Sequence, residues 1–281
     1  MLMTDFEFNG ELLSDHNMII GSLSTSDDPT PLGSVMTMNT QNVRNIQRVT
    51  STTYQDVITK SFGIVRNTCY RDTDNFFTDE EIYEISTWLQ PNDYQRFKPI
   101  YDDSSFADIY FMGRFNVEAV RIGAGIVGFN LTFTANAPYG FGEEQNNTYT
   151  ITNSEDGNIF RVFNDSQEYG YLYFNKFEIT CGSDGDFRMV NNNDISTETG
   201  QAYTTVIENC IQGEVITIDC ENKIIQSSEE HDRLYNDFDY NFPRLVCDYN
   251  APLNVFEVDT DDMSSATISV AFSPIRKVGV I

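Results

Sequence analysis

Histidine is almost missing from this 281-residue chain, which holds only His16 and His231. No H-E-x-x-H or H-x-x-E-H pair exists, and two imidazoles so distant in sequence cannot make a multi-histidine zinc centre within one chain. Tryptophan occurs once, as Trp88. Basic residues are scarce: 17 Lys and Arg stand against 43 Asp and Glu, a formal charge of −26. Nine basic and 18 acidic residues precede Gly140, and eight and 25 follow, so the acidity runs through both halves and is not a tail. A surface of that sign repels phosphate backbones and anionic lipid, which argues against nucleic-acid binding by counterion release and against membrane attachment. Long hydrophobic runs are absent too. The stretch IGAGIVGF (122–129) is far too short to cross a bilayer. The opening MLMTDFEFNGELL carries acids early and no basic segment, so it does not read as a secretory signal.

Other absences concern chemistry. Cys69, Cys181, Cys210, Cys220 and Cys247 are odd in number and show no C-x-x-C spacing. They are expected as reduced, mostly buried thiols, with a Cys210–Cys220 bridge as the alternative. Neither a G-x-S-x-G elbow nor a G-x-x-x-x-G-K-[ST] loop is present. Carboxylate pairs abound, but 43 acids make pairs by chance, so they carry no glycosidase assignment. Segments Asp259–Asp262 and Ser183–Asp186 resemble calcium loops without the glycine and distant glutamate of an EF-hand, and are read as solvated turns. GAGIVG (123–128) matches G-x-G-x-x-G by letter, yet a strand pattern, FNLTF, follows where a helix is needed. Its glycines are assigned to a bend or bulge. No catalytic, cofactor-binding or metal-binding residue is assigned, and the chain reads as a binding or assembly protein and not an enzyme.

What the sequence does contain is short strands and turns. Segment 43–66 supplies β-branched and aromatic residues at near period two, and Phe129, Leu131 and Phe133 alternate with polar residues before Pro138. Loops are expected at 22–34 and 66–75. One helix, at about 79–90, interrupts this pattern. Thr78 and Glu81 form a capping box, Phe77 can staple onto Ile82, and Ile82, Ile85 and Leu89 share a face flanked by Trp88. Pro91 stops it. The helix is expected to cover an open sheet, with Trp88 in the core. Residues 150–281 read as short, evenly spaced strands of a two-sheet sandwich, with a hairpin at 213–226. The Gly-, Asn- and Glu-rich stretch 141–149 is expected to link a domain at 1–140 to one at 150–281.

Several of these segments together resemble the distal tail proteins (Dit) of long-tailed bacteriophages. The first half shows an FxFNG-like strand, then TYQDVITKSFGI (53–64), a helix of the form T-x-x-E…WL (Thr78, Glu81, Trp88, Leu89), and VGFxLxFxxxxPY from Val127 to Tyr139. The glycine-rich, charged loop that follows the first strand in some members is missing. The second half is similar, more loosely, to the galectin-like or carbohydrate-module-like sandwich of that family. The resemblance implies a mainly β chain with a tail-tube-like N-terminal sandwich bearing one helix. It further implies a homo-hexameric ring in the virion, assembled in the host cytoplasm, that joins the tail tube protein to the tail-associated tip protein and to receptor-binding proteins. DNA would be cargo through the lumen, and the family carries no cofactor and no catalytic residue. The alternative is a carbohydrate-binding accessory protein that engages host-surface glycans through the C-terminal sandwich, with Tyr169, Tyr171 and Tyr173 as platforms. The plainer reading of those tyrosines is one face of a sheet.

Overall fold

The computed structural model describes residues 3–21, 36–43, 46–54, 56–67, 76–102, 107–154, 157–231 and 233–278. The loop expected at 22–34, most of the loop at 66–75, and Cys69 lie outside the described residues. The chain divides into two compact units: Met1–Gly142 with Arg276–Ile281, and Glu143–Ile275.

In the first unit, β1 (Met3–Phe8) and β2 (Glu11–Leu12) form a hairpin. Asn9 and Gly10 between them both take positive φ, 53° and 81°, as a tight turn matching the strands' twist requires. A 3-10 turn, Leu13–His16, leads to β3 (Met18–Gly21). Then follow β4 (Met36–Val43), β5 (Ile46–Tyr54), β6 (Thr59–Arg66), α1 (Asp79–Leu89), β7 (Gln95–Tyr101), β8 (Phe111–Ile122), β9 (Gly125–Ala135) and β10 (Gly140–Phe141). Seven strands make one antiparallel sheet in the order β2-β1-β7-β8-β9-β6-β3. Its edge strands, β2 and β3, are consecutive in the chain and joined by Leu13–His16 and Asn17. Five residues span about 17 Å even when extended. The sheet therefore curls until its edges approach, and its concave face closes on a core.

That core is built from phenylalanines. Phe6, Phe8, Phe97, Phe115 and Phe133 point inward from β1, β7, β8 and β9. The ring centres of Phe97 and Phe133 lie 4.4 Å apart, and Phe8 meets Phe115 edge-on at 4.9 Å. Helix α1 packs on the same core. Thr78 Oγ1 accepts a hydrogen bond from the Glu81 amide while the Glu81 carboxylate accepts one from the Thr78 amide, so the expected capping box is formed. Ile85, Trp88 and Leu89 are buried, one stripe at helical spacing. Phe77 and Ile82 pack against the same cluster. Among the described residues α1 is the one helix longer than a single turn.

The GAGIVG stretch is a hairpin turn. Ile122 pairs with Gly125 across Gly123–Ala124, and of those two residues only Gly123 has positive φ, +63°, which suits a II′ turn. A Cβ on Gly125 would stand 2.1 Å from the Phe76 ring, so that glycine serves close packing.

The second unit is a sandwich. Its strands are β11 (Gln145–Thr152), β12 (Ile159–Phe163), β13 (Gly170–Tyr173), β14 (Lys176–Cys181), β15 (Gly185–Ile195), β16 (Ala202–Cys210), β17 (Val215–Asp219), β18 (Ile224–Ser227), β19 (Arg244–Cys247), β20 (Leu253–Val258) and β21 (Ser265–Phe272), with one turn of helix, α2 (Leu234–Asp237), between β18 and β19. One sheet runs β11-β21-β14-β17-β18 and the other β12-β20-β15-β16, with β13 and β19 paired separately. Alternate residues such as Phe177, Ile179, Ile216, Ile218, Ile268 and Phe272 are buried, the period-two pattern of a half-buried strand. The 213–226 hairpin forms as expected, with Asp219 opposite Ile224.

Two expectations change. Gln145–Tyr149, read as part of a linker at 141–149, belongs to β11 and pairs residue by residue with β21. An edge strand tolerates its polar Asn and Thr side chains because one face meets water. Arg276–Ile281, placed by sequence in a domain at 150–281, groups with the first unit.

Candidate functional site

The β4–β5 hairpin stands apart from the seven-stranded sheet as a two-stranded sheet of its own. Its described side chains from Met36 to Gln41, Val49, and Ser51 to Thr53 are exposed. Met38 and Val49 are 66% and 56% accessible, high values for apolar side chains. From Met36 to Tyr54 the sequence holds no Asp or Glu and two arginines, Arg44 and Arg48, within a chain of charge −26. Isolated two-stranded hairpins are marginal in water. This one exposes apolar side chains on an acidic protein.

A groove of about 630 Å³ opens on the second unit beside Tyr171, Asp194, Gln201, Tyr203 and Arg244. Arg244, first residue of β19, lies between two rings, 3.7 Å from the centre of Tyr171 and 4.1 Å from that of Tyr203. Its Nε donates to the buried carboxylate of Asp194 at 2.7 Å. Burial pushes the Tyr203 phenol up to about 12 against the opposing pull of Arg244. Burial acts in the same direction on Tyr173, but hydrogen bonds to Lys223 and Arg244 outweigh it and lower that phenol. The Lys223 Nζ sits 3.3 Å from the centre of the Tyr173 ring. Tyr171 and Tyr173, platforms in the alternative glycan-binding reading, thus each hold a cation against one face of the ring. Tyr169 is 62% exposed, and its hydroxyl accepts a hydrogen bond from Asn250.

The strands of the second unit also bring together groups that lie far apart in sequence. Cys181 ends β14, Cys210 ends β16, and Glu214 precedes β17; all three are buried. The two thiol sulfurs and a Glu214 carboxylate oxygen lie within 4.8 Å of one another. Glu214 accepts from the Ile211 amide, from Ser227 Oγ at 2.6 Å and from His231. His231 Nδ1 is 2.8 Å from Glu214, and its Nε2 is 3.3 Å from Asp237 of α2. Burial disfavours the Glu214 carboxylate, yet these hydrogen bonds and the imidazole charge outweigh it and hold its pKa below the ordinary value. Burial likewise opposes a charged His231, and the two carboxylates override it and raise the imidazole. Cys181 keeps its proton well above the ordinary thiol range, first through its hydrogen bond with Cys210 and then through burial.

Other expected features resolve simply. Cys181, Cys210, Cys220 and Cys247 are all free and buried, so the Cys210–Cys220 alternative is not formed. In the calcium-like segments, Asp184 and Asp186 accept the amides of Gln212 and Asn209, and Asp259 accepts that of Asp261. These carboxylates are turn caps. His16 stacks on Trp88, ring centres 4.1 Å apart.

The fold is that of a mainly β protein in two compact units, with one helix and an exposed two-stranded hairpin. Residues 1–137 match the model of a phage tail protein N-terminal domain, and residues 139–272 match that of a phage tail C-terminal domain. The chain belongs to this family of phage tail proteins, and its fold is similar to that of a distal tail, or Dit, protein. The structure of the SPP1 Dit protein (gp 19.1), described as a paradigm of the hub adsorption apparatus in phages infecting Gram-positive bacteria, is similar at TM-score 0.59 and 12% identity, over 97% of this chain and 99% of that one. A chain of the phage P2 baseplate, in its activated conformation with Ca, is similar at TM-score 0.50 and 10% identity, over 96% and 98% of the two chains. No curated protein sequence matches.

Proposed function

We propose that this protein is the hub subunit of a phage tail tip, closing into a homo-hexameric ring that joins the tail tube to the tip protein and to receptor-binding proteins. The observation that carries the reading is the β4–β5 hairpin. It is a marginal element alone, it exposes methionine and valine, and it is free of acids where the rest of the chain is rich in them. A second copy offers the acidic surface that such an arm complements, and packing there removes the exposed apolar area from water. A ring of negative subunits gives DNA a lumen that it passes without adhering. The role is structural, without turnover, and the subunit is assembled in the host cytoplasm.

Light scattering across a wide concentration range tests it. The wild-type chain is expected to reach a six-subunit mass, and Met38→Glu/Val49→Glu to stay smaller with an unchanged circular dichroism spectrum. A wild-type chain monomeric at every concentration, or a variant that assembles equally well, would overturn the role given to the hairpin.

A further inference from the structure

We propose that Cys181, Cys210 and Glu214 form a binding site for one thiophilic divalent cation of the zinc type inside the C-terminal sandwich. Two sulfurs and a carboxylate oxygen within 4.8 Å of one another are a borderline-soft donor set. Around tetrahedral zinc such atoms stand about 3.5 to 3.8 Å apart, so binding asks for a contraction of at most about 1.3 Å.

The backbone already holds the ligands in place. The Cys181 amide donates to the Glu214 carbonyl at 2.9 Å, and the Gly213 amide donates back to the Cys181 carbonyl at 2.8 Å. The Glu214 amide closes the turn onto the Ile211 carbonyl, immediately after Cys210. A strand end and a tight turn are thus strapped together on either side of the thiols. Gly213 has φ +86°, the left-handed conformation that this turn needs.

An outer layer is present as well. His231 hydrogen-bonds Glu214 through one ring nitrogen and faces the Asp237 carboxylate through the other. Ser227 Oγ donates to the same Glu214 oxygen as His231. Such partners fix the orientation of a ligating carboxylate. Binding exchanges the thiol protons for the cation, with those protons passing to solvent and no change of oxidation state. No other His, Cys, Asp and Glu grouping of three or more with this closeness occurs among the described residues. Cys220 and Cys247 lie outside it and serve as internal controls.

The test uses the full, tag-free chain, reduced, stripped with chelator and titrated with Co2+. One equivalent is expected to bind with a thiolate-to-cobalt charge-transfer band and tetrahedral visible absorption, and Zn2+ but not Mg2+ should displace it. The band should disappear in Cys181→Ser and Cys210→Ser and persist in Cys220→Ser and Cys247→Ser. His231→Ala, a positioning change, should keep the band while weakening affinity about 10- to 100-fold. Folded wild-type protein without the band overturns the proposal even where a serine variant fails to fold. A band that survives both serine substitutions does so too. So does a Cys181–Cys210 disulfide in protein purified without reductant, if its reduction leaves Co2+ unbound.

Discussion

The indole Nε1 of Trp88 donates a 2.9 Å hydrogen bond to the main-chain oxygen of Phe8, tying the last turn of α1 to the end of β1. The same ring lies parallel to Phe6, with centres 5.8 Å apart. Trp88→Phe keeps most of the packing and loses the donor, so a cost of about 1 to 2 kcal/mol is expected. Trp88→Ala removes the packing as well and should cost about 3 to 5 kcal/mol. Denaturant unfolding of the full chain followed by circular dichroism checks both, because either change removes the only indole fluorophore.

Thr78 and Glu81 cap α1 reciprocally, and Arg66 pairs with Glu81. Thr78→Ala should cost about 1 kcal/mol. Burial favours the neutral Glu81 carboxyl, but the bonds from Thr78 and Arg66 outweigh it and hold the pKa below its ordinary 4.5. A carboxylate depressed on folding contributes stability that is fully present above its unfolded pKa and is lost as pH falls through the folded value. Stability should therefore decline below about pH 4.5, and Glu81→Gln should flatten that decline while lowering stability at neutral pH. Chemical denaturation at a series of pH values measures the difference.

Arg244 joins two tyrosine faces to the buried Asp194. Arg244→Ala leaves that carboxylate buried without its ion-pair partner, a loss of about 3 kcal/mol. Arg244→Lys should recover only part of it, since an ammonium lacks the flat surface that stacks between two rings. Urea midpoints for the three proteins, with near-ultraviolet circular dichroism reporting the tyrosines, decide whether stacking contributes beyond charge.

Two glycines of the second unit should respond differently to alanine. Gly185 has φ +140°, and a Cβ there would stand 2.6 Å from the Asp262 carbonyl oxygen. Gly200 has φ +70° with nothing within 4 Å. Gly200→Ala should cost about 1 kcal/mol, from backbone strain alone. Gly185→Ala adds a steric clash with main chain and should lower the thermal midpoint clearly further in differential scanning calorimetry.

Local patterns were readable where the physics is local. The capping box, the 3–4 spacing of Ile85, Trp88 and Leu89, and the alternation along β9 and β17 all depend on neighbours within a few residues. The family resemblance rested on the order of such elements. What escaped was long-range. The period-two run 43–66 covers parts of β4, β5 and β6, yet nothing in it shows that β4–β5 leaves the main sheet while β6 joins it. Arg244 meets Tyr171 and Tyr203 only because β19 lies beside β13 and the rim of β16. Cys181, Cys210 and Glu214 converge because β14 and β17 are sheet neighbours and β16 ends above them in the facing layer. Cysteine spacing alone suggested Cys210 with Cys220. The sharper hint was a buried-type glutamate, Glu214, in the turn just after Cys210, before a hydrophobic strand.

The β4–β5 arm also bears on how an assembly knows when to stop. A hairpin and the surface that receives it are different patches, so copies joined through them add head to tail, and each addition leaves one arm and one receiving surface still open. Such growth ends only when the rotation between neighbours brings the last copy back to the first. In the proposed ring, the number of subunits follows from the angle at which each hairpin meets the neighbouring copy. A small change of that angle yields an open spiral instead of a closed circle, with every pairwise contact intact.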